Sequence, residues 1–135
     1  MSHWVQRVTG RVDLQARLAE GRHRRGPFVA KTADYTCTAA ESGTIFTTRG
    51  NGAAINFTLP ALGVGLWYTF VNLVGYNMEV IGPTANELIA FNDLTASSIG
   101  FQTVSELKGG VIVAICDGTS WVAFSPSILN TLTVT

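Results

Sequence analysis

The sequence predicts an all-β fold: an antiparallel β-sandwich or barrel-like body of about eight short strands, behind an extended, partly helical N-terminal arm. Three observations predict it. From residue 32 onward β-branched and aromatic residues dominate, Thr alone occurring 15 times, and these are the side chains that suit a pleated, half-buried surface. Turn residues interrupt that stretch at the short spacing of a sandwich or barrel. Several runs alternate apolar and polar residues with period two. At 135 residues, 47% hydrophobic and 13% charged, the chain is one domain long and holds ample material for a core, which excludes disorder over most of its length.

Residues 1–31 form the arm and hinge, and 32–135 the body. In the arm, Val12, Ala16 and Ala19, with Leu14 and Leu18 beside them, recur at helical spacing over 11–20, and Gly21 is placed to end a short helix. The run Gly21-Arg22-His23-Arg24-Arg25-Gly26-Pro27 reads as a basic hinge. In the body, a strand is expected over 35–38, a turn at Glu41-Ser42-Gly43, and a second strand over 44–48 before the turn Arg49-Gly50-Asn51-Gly52. Ile55, Phe57 and Leu59 alternate with Asn56 and Thr58 until Pro60 ends the strand. After Gly63-Val64-Gly65, residues 66–71 are apolar on both faces, as a central strand requires. A strand over 77–81 stops at Gly82-Pro83, and 84–110 contains only short apolar pieces at 88–91 and 99–104. Residues 111–116 and 121–124 flank Asp117-Gly118-Thr119-Ser120, the strongest hairpin signal in the chain. Residues 127–135 are expected to pair as an edge strand or to cross to a neighbouring subunit.

Nine Lys and Arg balance nine Asp and Glu, but the two signs are segregated. Residues 1–31 carry seven bases and two acids, whereas 32–135 carry two bases and seven acids, so a basic arm precedes an acidic body, a pattern of interaction segments. Within the arm, apolar residues interleave with the arginines. That favours docking on a protein over tracking a phosphate backbone, so no direct nucleic-acid partner is expected. The low charged fraction predicts that other subunits cover part of the surface. The longest uncharged stretch, 50–78, contains Asn51, Asn56, Pro60, Asn72, Asn77 and five glycines, so no membrane partner is expected. The N-terminus lacks a continuous apolar segment, and synthesis in the cytoplasm is expected. Cys37 and Cys116 stand outside any CxxC and read as buried, reduced thiols.

Enzyme chemistry finds little support. Both histidines, His3 and His23, lie in the arm, away from any rigid element that would hold a catalytic base. No GxSxG occurs and no body histidine is present to activate a Ser or Thr nucleophile. Asp93 and Asp117 fall at expected turns, where a carboxylate caps its own backbone. The Gly63-to-Gly65 pair lacks the third glycine and following helix of a dinucleotide site. No catalytic residue, cofactor or metal is expected. Trp67, Tyr76 and Trp121 are candidate glycan or interface aromatics, with Asn72, Asn77, Asn86 and Asn92 as candidate partners for hydroxyls; core packing is the competing reading, and Trp67 and Tyr68 must face opposite ways on a strand.

The segments Ala33-Asp34-Tyr35-Thr36-Cys37-Thr38-Ala39-Ala40-Glu41-Ser42-Gly43-Thr44-Ile45-Phe46, Ile55-Asn56-Phe57-Thr58-Leu59-Pro60, Gly65-Leu66-Trp67-Tyr68-Thr69-Phe70-Val71 and Asp117-Gly118-Thr119-Ser120-Trp121 together resemble a β-domain of tailed-bacteriophage structural proteins, over roughly residues 32–124. That resemblance implies a capsid decoration (cement) protein or a module appended to a tail protein, commonly trimeric. A short chain with a basic arm fits the stand-alone capsid protein better. The expectation is a non-enzymatic virion protein, a homotrimer on the outer capsid surface, that binds between major capsid proteins and stabilises the shell. Its capsid-binding arm would use Trp4, Val5, Arg7, Val8, Arg11, Leu14, Leu18, Arg22, Arg24 and Arg25. The alternative is a receptor- or glycan-binding module of a phage tail.

Overall fold

The computed structural model describes residues 26–127 and 129–135. The arm residues Trp4, Val5, Arg7, Val8, Arg11, Leu14, Leu18, Arg22, Arg24 and Arg25, and the helix expected over 11–20, lie outside the described residues.

Strands with one apolar face must bury it, and here two sheets do so against each other. The first six strands are β1 (Phe28–Ala30), β2 (Tyr35–Thr36), β3 (Ile45–Thr47), β4 (Ile55–Thr58), β5 (Trp67–Val71) and β6 (Met78–Ile81). The other six are β7 (Leu88–Ala90), β8 (Asp93–Ala96), β9 (Ser98–Phe101), β10 (Val111–Cys116), β11 (Trp121–Phe124) and β12 (Leu132–Val134). Seven form one sheet in the order β1-β3-β5-β10-β11-β7-β8, and five form the other in the order β12-β9-β6-β4-β2. The all-β sandwich expected from the sequence is therefore present.

Its sheets are mixed, which corrects the expectation of a purely antiparallel body. From β1 to β6 the chain alternates between the sheets at every step, so β1, β3 and β5 pair parallel in one sheet and β2, β4 and β6 in the other. Each parallel partner lies one winding further on: Phe28 pairs with Ile45, Ile45 with Thr69, Tyr35 with Phe57, and Ile55 with Met78. Local alternation reports which side chains point inward but not the direction of the neighbouring strand. The second half adds the antiparallel ladders β5–β10, β10–β11, β6–β9, β7–β8 and β9–β12.

Strand edges also shift. Phe28–Ala30, within the 1–31 segment assigned to the arm and hinge, is the edge strand β1 and bonds to β3, so the folded body begins inside that segment. The strand expected over 35–38 ends at Thr36, and a 3-10 turn, Ala39–Glu41, follows it. There Glu41 Oε1 accepts from Thr38 N at 2.9 Å and Oε2 accepts from Tyr35 Oη at 2.6 Å. Burial works to raise the Glu41 carboxyl, but the hydrogen bonds from Tyr35 and Thr38 and the nearby Lys31 charge outweigh it and hold the group below its ordinary value. The same bond, donated to the Glu41 carboxylate, with burial pushes Tyr35 up to about 12. Lys31 Nζ sits 3.6 Å above the Tyr35 ring, a cation–π contact that ties β1 to β2.

The core lies between the sheets. Phe46, Phe57 and Phe70 meet at its centre, with centroids 4.9 Å apart for Phe57–Phe70 and 5.8 Å for Phe46–Phe70. Tyr68 and Trp121 extend the cluster at 5.9 Å. Both thiols are buried and unbridged, as expected; burial, aided by the Glu41 charge, pushes Cys37 up to about 12, so it stays a neutral thiol.

Candidate functional site

The two outer faces of the sandwich differ in kind. On the five-stranded sheet the outward positions are Thr36, Asn56, Thr58, Glu79, Ile81, Ser98, Gly100 and Thr133, set by the alternating burial of β4 and β6 and by the registers across the sheet. Apart from Ile81 this is the polar exterior of a sheet that faces water. Glu79 accepts a hydrogen bond from Ser98 Oγ across that surface.

The seven-stranded sheet has the opposite exterior. One row runs across five strands as Phe28, Ile45, Thr69, Val113 and Phe124. A second holds Ala30, Thr47, Val71 and Val111, and a third Trp67, Ile115, Val122 and Ile89. These thirteen outward positions, on six of the seven strands, include two threonines and no charge; Phe28, Ala30, Trp67, Ile115 and Phe124 are exposed, Thr47 is buried and the others are half-buried. At roughly 4.8 Å per strand the patch is on the order of 25 Å across. Phe28 is 66% exposed, Trp67 45%, Ile115 43% and Phe124 40%. Monomeric proteins rarely show a contiguous apolar patch of this kind.

Trp67, a candidate from the sequence, stands on this face, held by its backbone N–H donating to Ser42 Oγ at 3.1 Å. Trp121 does not. It is fully buried, and its Nε1–H donates to the Pro60 carbonyl at 3.0 Å, which corrects its assignment as a glycan or interface aromatic. Its neighbour Val122 takes the outward position, because a strand turns alternate side chains to opposite faces.

Tyr76, the third aromatic, is 46% exposed and lies elsewhere, in a cleft between two loops. The cleft is about 460 Å³, with Tyr76, Asn77, Val104, Ser105, Leu107 and Lys108 among its walls. The first loop, residues 72–77, joins β5 to β6; the second, 102–110, joins β9 to β10. Asn72 fastens one to the other. Its side chain is fully buried; Nδ2 donates to Tyr76 O at 2.8 Å and Oδ1 accepts from Thr48 Oγ1 at 2.7 Å. Its backbone N–H donates to Gly110 O at 2.8 Å, and its carbonyl accepts from Gly109 N at 2.7 Å. Asn130 then holds the second loop from behind, donating to Glu106 O at 2.8 Å and Lys108 O at 3.2 Å. Asn72 therefore serves the scaffold rather than a ligand, Asn77 lines the cleft, and Asn86 and Asn92 lie outside its walls.

The sequence reading did not single out Val104, Ser105 or Lys108. The one available signal was Lys108 itself, one of two bases after residue 31, but nothing local placed it beside Tyr76. The expected turn carboxylates behave as caps: Asp117 Oδ1 accepts from the backbone N–H groups of Ser120 and Thr119, both at 2.8 Å, which holds its carboxyl below the ordinary value. Asp93 Oδ1 accepts from Thr95 N at 2.9 Å. Among the described residues no group of three or more His, Cys, Asp and Glu side chains is placed to hold a metal, and no helix is long and apolar enough to cross a membrane. No protein-family model matches the chain, and no curated protein is detectably similar to it.

Proposed function

We propose that the protein is a non-enzymatic structural component of a bacteriophage virion, a decoration protein that binds the outer capsid surface between major capsid proteins and stabilises the shell. The observation that carries this reading is the uncharged apolar exterior of the seven-stranded sheet, set against the polar exterior of the other. A surface paved with Ile, Val, Phe and Trp is stable in water when something covers it. The occupant we assign to it is a second copy of the chain. Copy against copy places no charge opposite another and buries no unpaired ion, which suits the apolar character of permanent subunit interfaces. Three copies around an axis would leave each polar exterior facing solvent.

The basic segment before residue 26 supplies the second attachment. Its arginines meet acidic patches of the capsid protein and its Trp, Val and Leu residues fill apolar grooves, so self-association and capsid binding use different parts of the chain. Co-sedimentation with assembled shells of the major capsid protein tests this directly. The full chain is expected to pellet with the shells, and a version lacking residues 1–26 to remain in the supernatant with its β-sheet circular dichroism intact. Undiminished pelleting of the truncated chain would overturn the arm's role, and no pelleting of the full chain would overturn the decoration reading.

A further inference from the structure

The cleft between the 72–77 and 102–110 loops has the make-up of a small-molecule site, and we infer that it binds a carbohydrate carrying a carboxylate, one acidic pyranose unit at a time. Its volume of about 460 Å³ falls in the lower part of the roughly 300–1,000 Å³ range of ligand pockets. Its walls divide by chemistry. Tyr76 offers a half-exposed ring and Val104, 81% exposed, an apolar flank, over a floor that includes the buried Leu107. The C–H face of a pyranose packs against such a ring, as apolar surface packs elsewhere. Asn77 and Ser105 bring an amide and a hydroxyl to the same cleft, groups that both donate and accept and so match sugar hydroxyls. Lys108 supplies one cation, and its stem passes close to Gly75, where an added Cβ would sit 3.4 Å from Lys108 Cε. One ammonium beside one aromatic matches a single carboxylate. A phosphate ester, with a charge of about −1.5 to −2 near pH 7, would be only partly neutralised by this one ammonium.

The site is also held in shape. Asn72 locks the two loops together from a fully buried position, and Asn130 pins the backbone at Glu106 and Lys108. Ser105, on the cleft wall, adopts φ 71°, a left-handed conformation that non-glycine residues hold only when the surroundings impose it. Fixing loops before binding removes an ordering cost from the association.

The inference does not rest on the virion reading, and its failure would leave capsid co-sedimentation untouched. The test is a glycan array of neutral and acidic oligosaccharides, followed by calorimetric titration of the full chain with sialyllactose, a glucuronate-containing tetrasaccharide and, as the neutral comparison, lactose. The expected result is saturable binding of an acidic oligosaccharide and none of lactose. Affinity should fall at least tenfold in Tyr76→Ala and in Lys108→Glu and stay unchanged in Asn92→Ala, which lies outside the cleft, with all three variants retaining the wild-type circular dichroism. Tyr76 and Lys108 lie on the surface, so these variants retain the fold. Equal binding of lactose, no acidic glycan bound, or acidic binding insensitive to both cleft variants would each overturn the inference.

Discussion

The buried Asn72 joins three segments: its side chain accepts from Thr48 Oγ1 and donates to the Tyr76 carbonyl, and its backbone bonds to Gly109 and Gly110. Asn72→Ala leaves Thr48 Oγ1 and the Tyr76 carbonyl without that partner, and the expected loss of stability is about 1–3 kcal/mol, measured by chemical denaturation. The same variant should raise amide exchange at residues 74–77 and 104–109 more than in the remainder of the body. Glu41 gives a pH dependence with a fixed sign. Its carboxyl is held below its ordinary value in the folded protein, so the stability it adds is fully present above the unfolded carboxylate range and is lost as pH falls through the lower folded value. Glu41→Gln is therefore expected to lower the melting temperature near pH 7 and to flatten the acid limb of a plot of melting temperature against pH, so that variant and wild type converge at low pH; an acid limb identical to the wild type would refute this role. These contacts were partly readable beforehand. Asp117 and Asp93 follow from their own turns, whereas the partners of Asn72 come from strands and loops far away in sequence.

At the scale of elements, the β6–β9 ladder leaves no room for a side chain at one of its pairs. Gly100 faces Glu79 there, and a Cβ at Gly100 would lie 2.7 Å from Met78 O and 2.9 Å from Glu79 Cα. Gly100→Ala must push two backbones apart, at an expected cost of about 1–3 kcal/mol in denaturant titration. Gly118 is constrained differently: its φ of +93° and a Val64 methyl 2.5 Å from the place of a Cβ make it specific to the β10–β11 turn. That hairpin, with β3, β4, β5 and β6, was visible in the sequence because turn chemistry and alternation are local. β1 and β8 were missed. Phe28–Ala30 is exposed at all three positions, so it carries no period-two pattern, and β8 holds Asp93 and two exposed residues next to a bulge in its ladder with β7. The exposed Trp67 and the buried Trp121 show the same limit, since period two says that neighbours face opposite ways but not which way is in.

The whole molecule joins a polar sheet exterior to an apolar one, and its state of assembly follows from that asymmetry. Light scattering after size exclusion is expected to give about three times the 14.4 kDa mass of the chain. Ile115→Lys, which sets a charge between Trp67 and Val122 in the outer row, should yield folded monomers by at least a tenfold weakening of association. A wild-type monomer, or a variant that keeps the wild-type mass, would remove the apolar face as the self-contact. The alternation of strands between sheets bears on synthesis as well. Pairings among β1 to β6 close within 17 to 24 residues, as Phe28 with Ile45 and Ile45 with Thr69 show, while Val71 waits for Val111. A ribosome releasing this chain therefore delivers a wound amino-terminal coil with β5 and β6 as open edges, β5 standing open tens of residues before β10 emerges to close it. During that interval the nascent chain presents Trp67–Val71 to any neighbouring strand, including the same segment on an adjacent ribosome of one message.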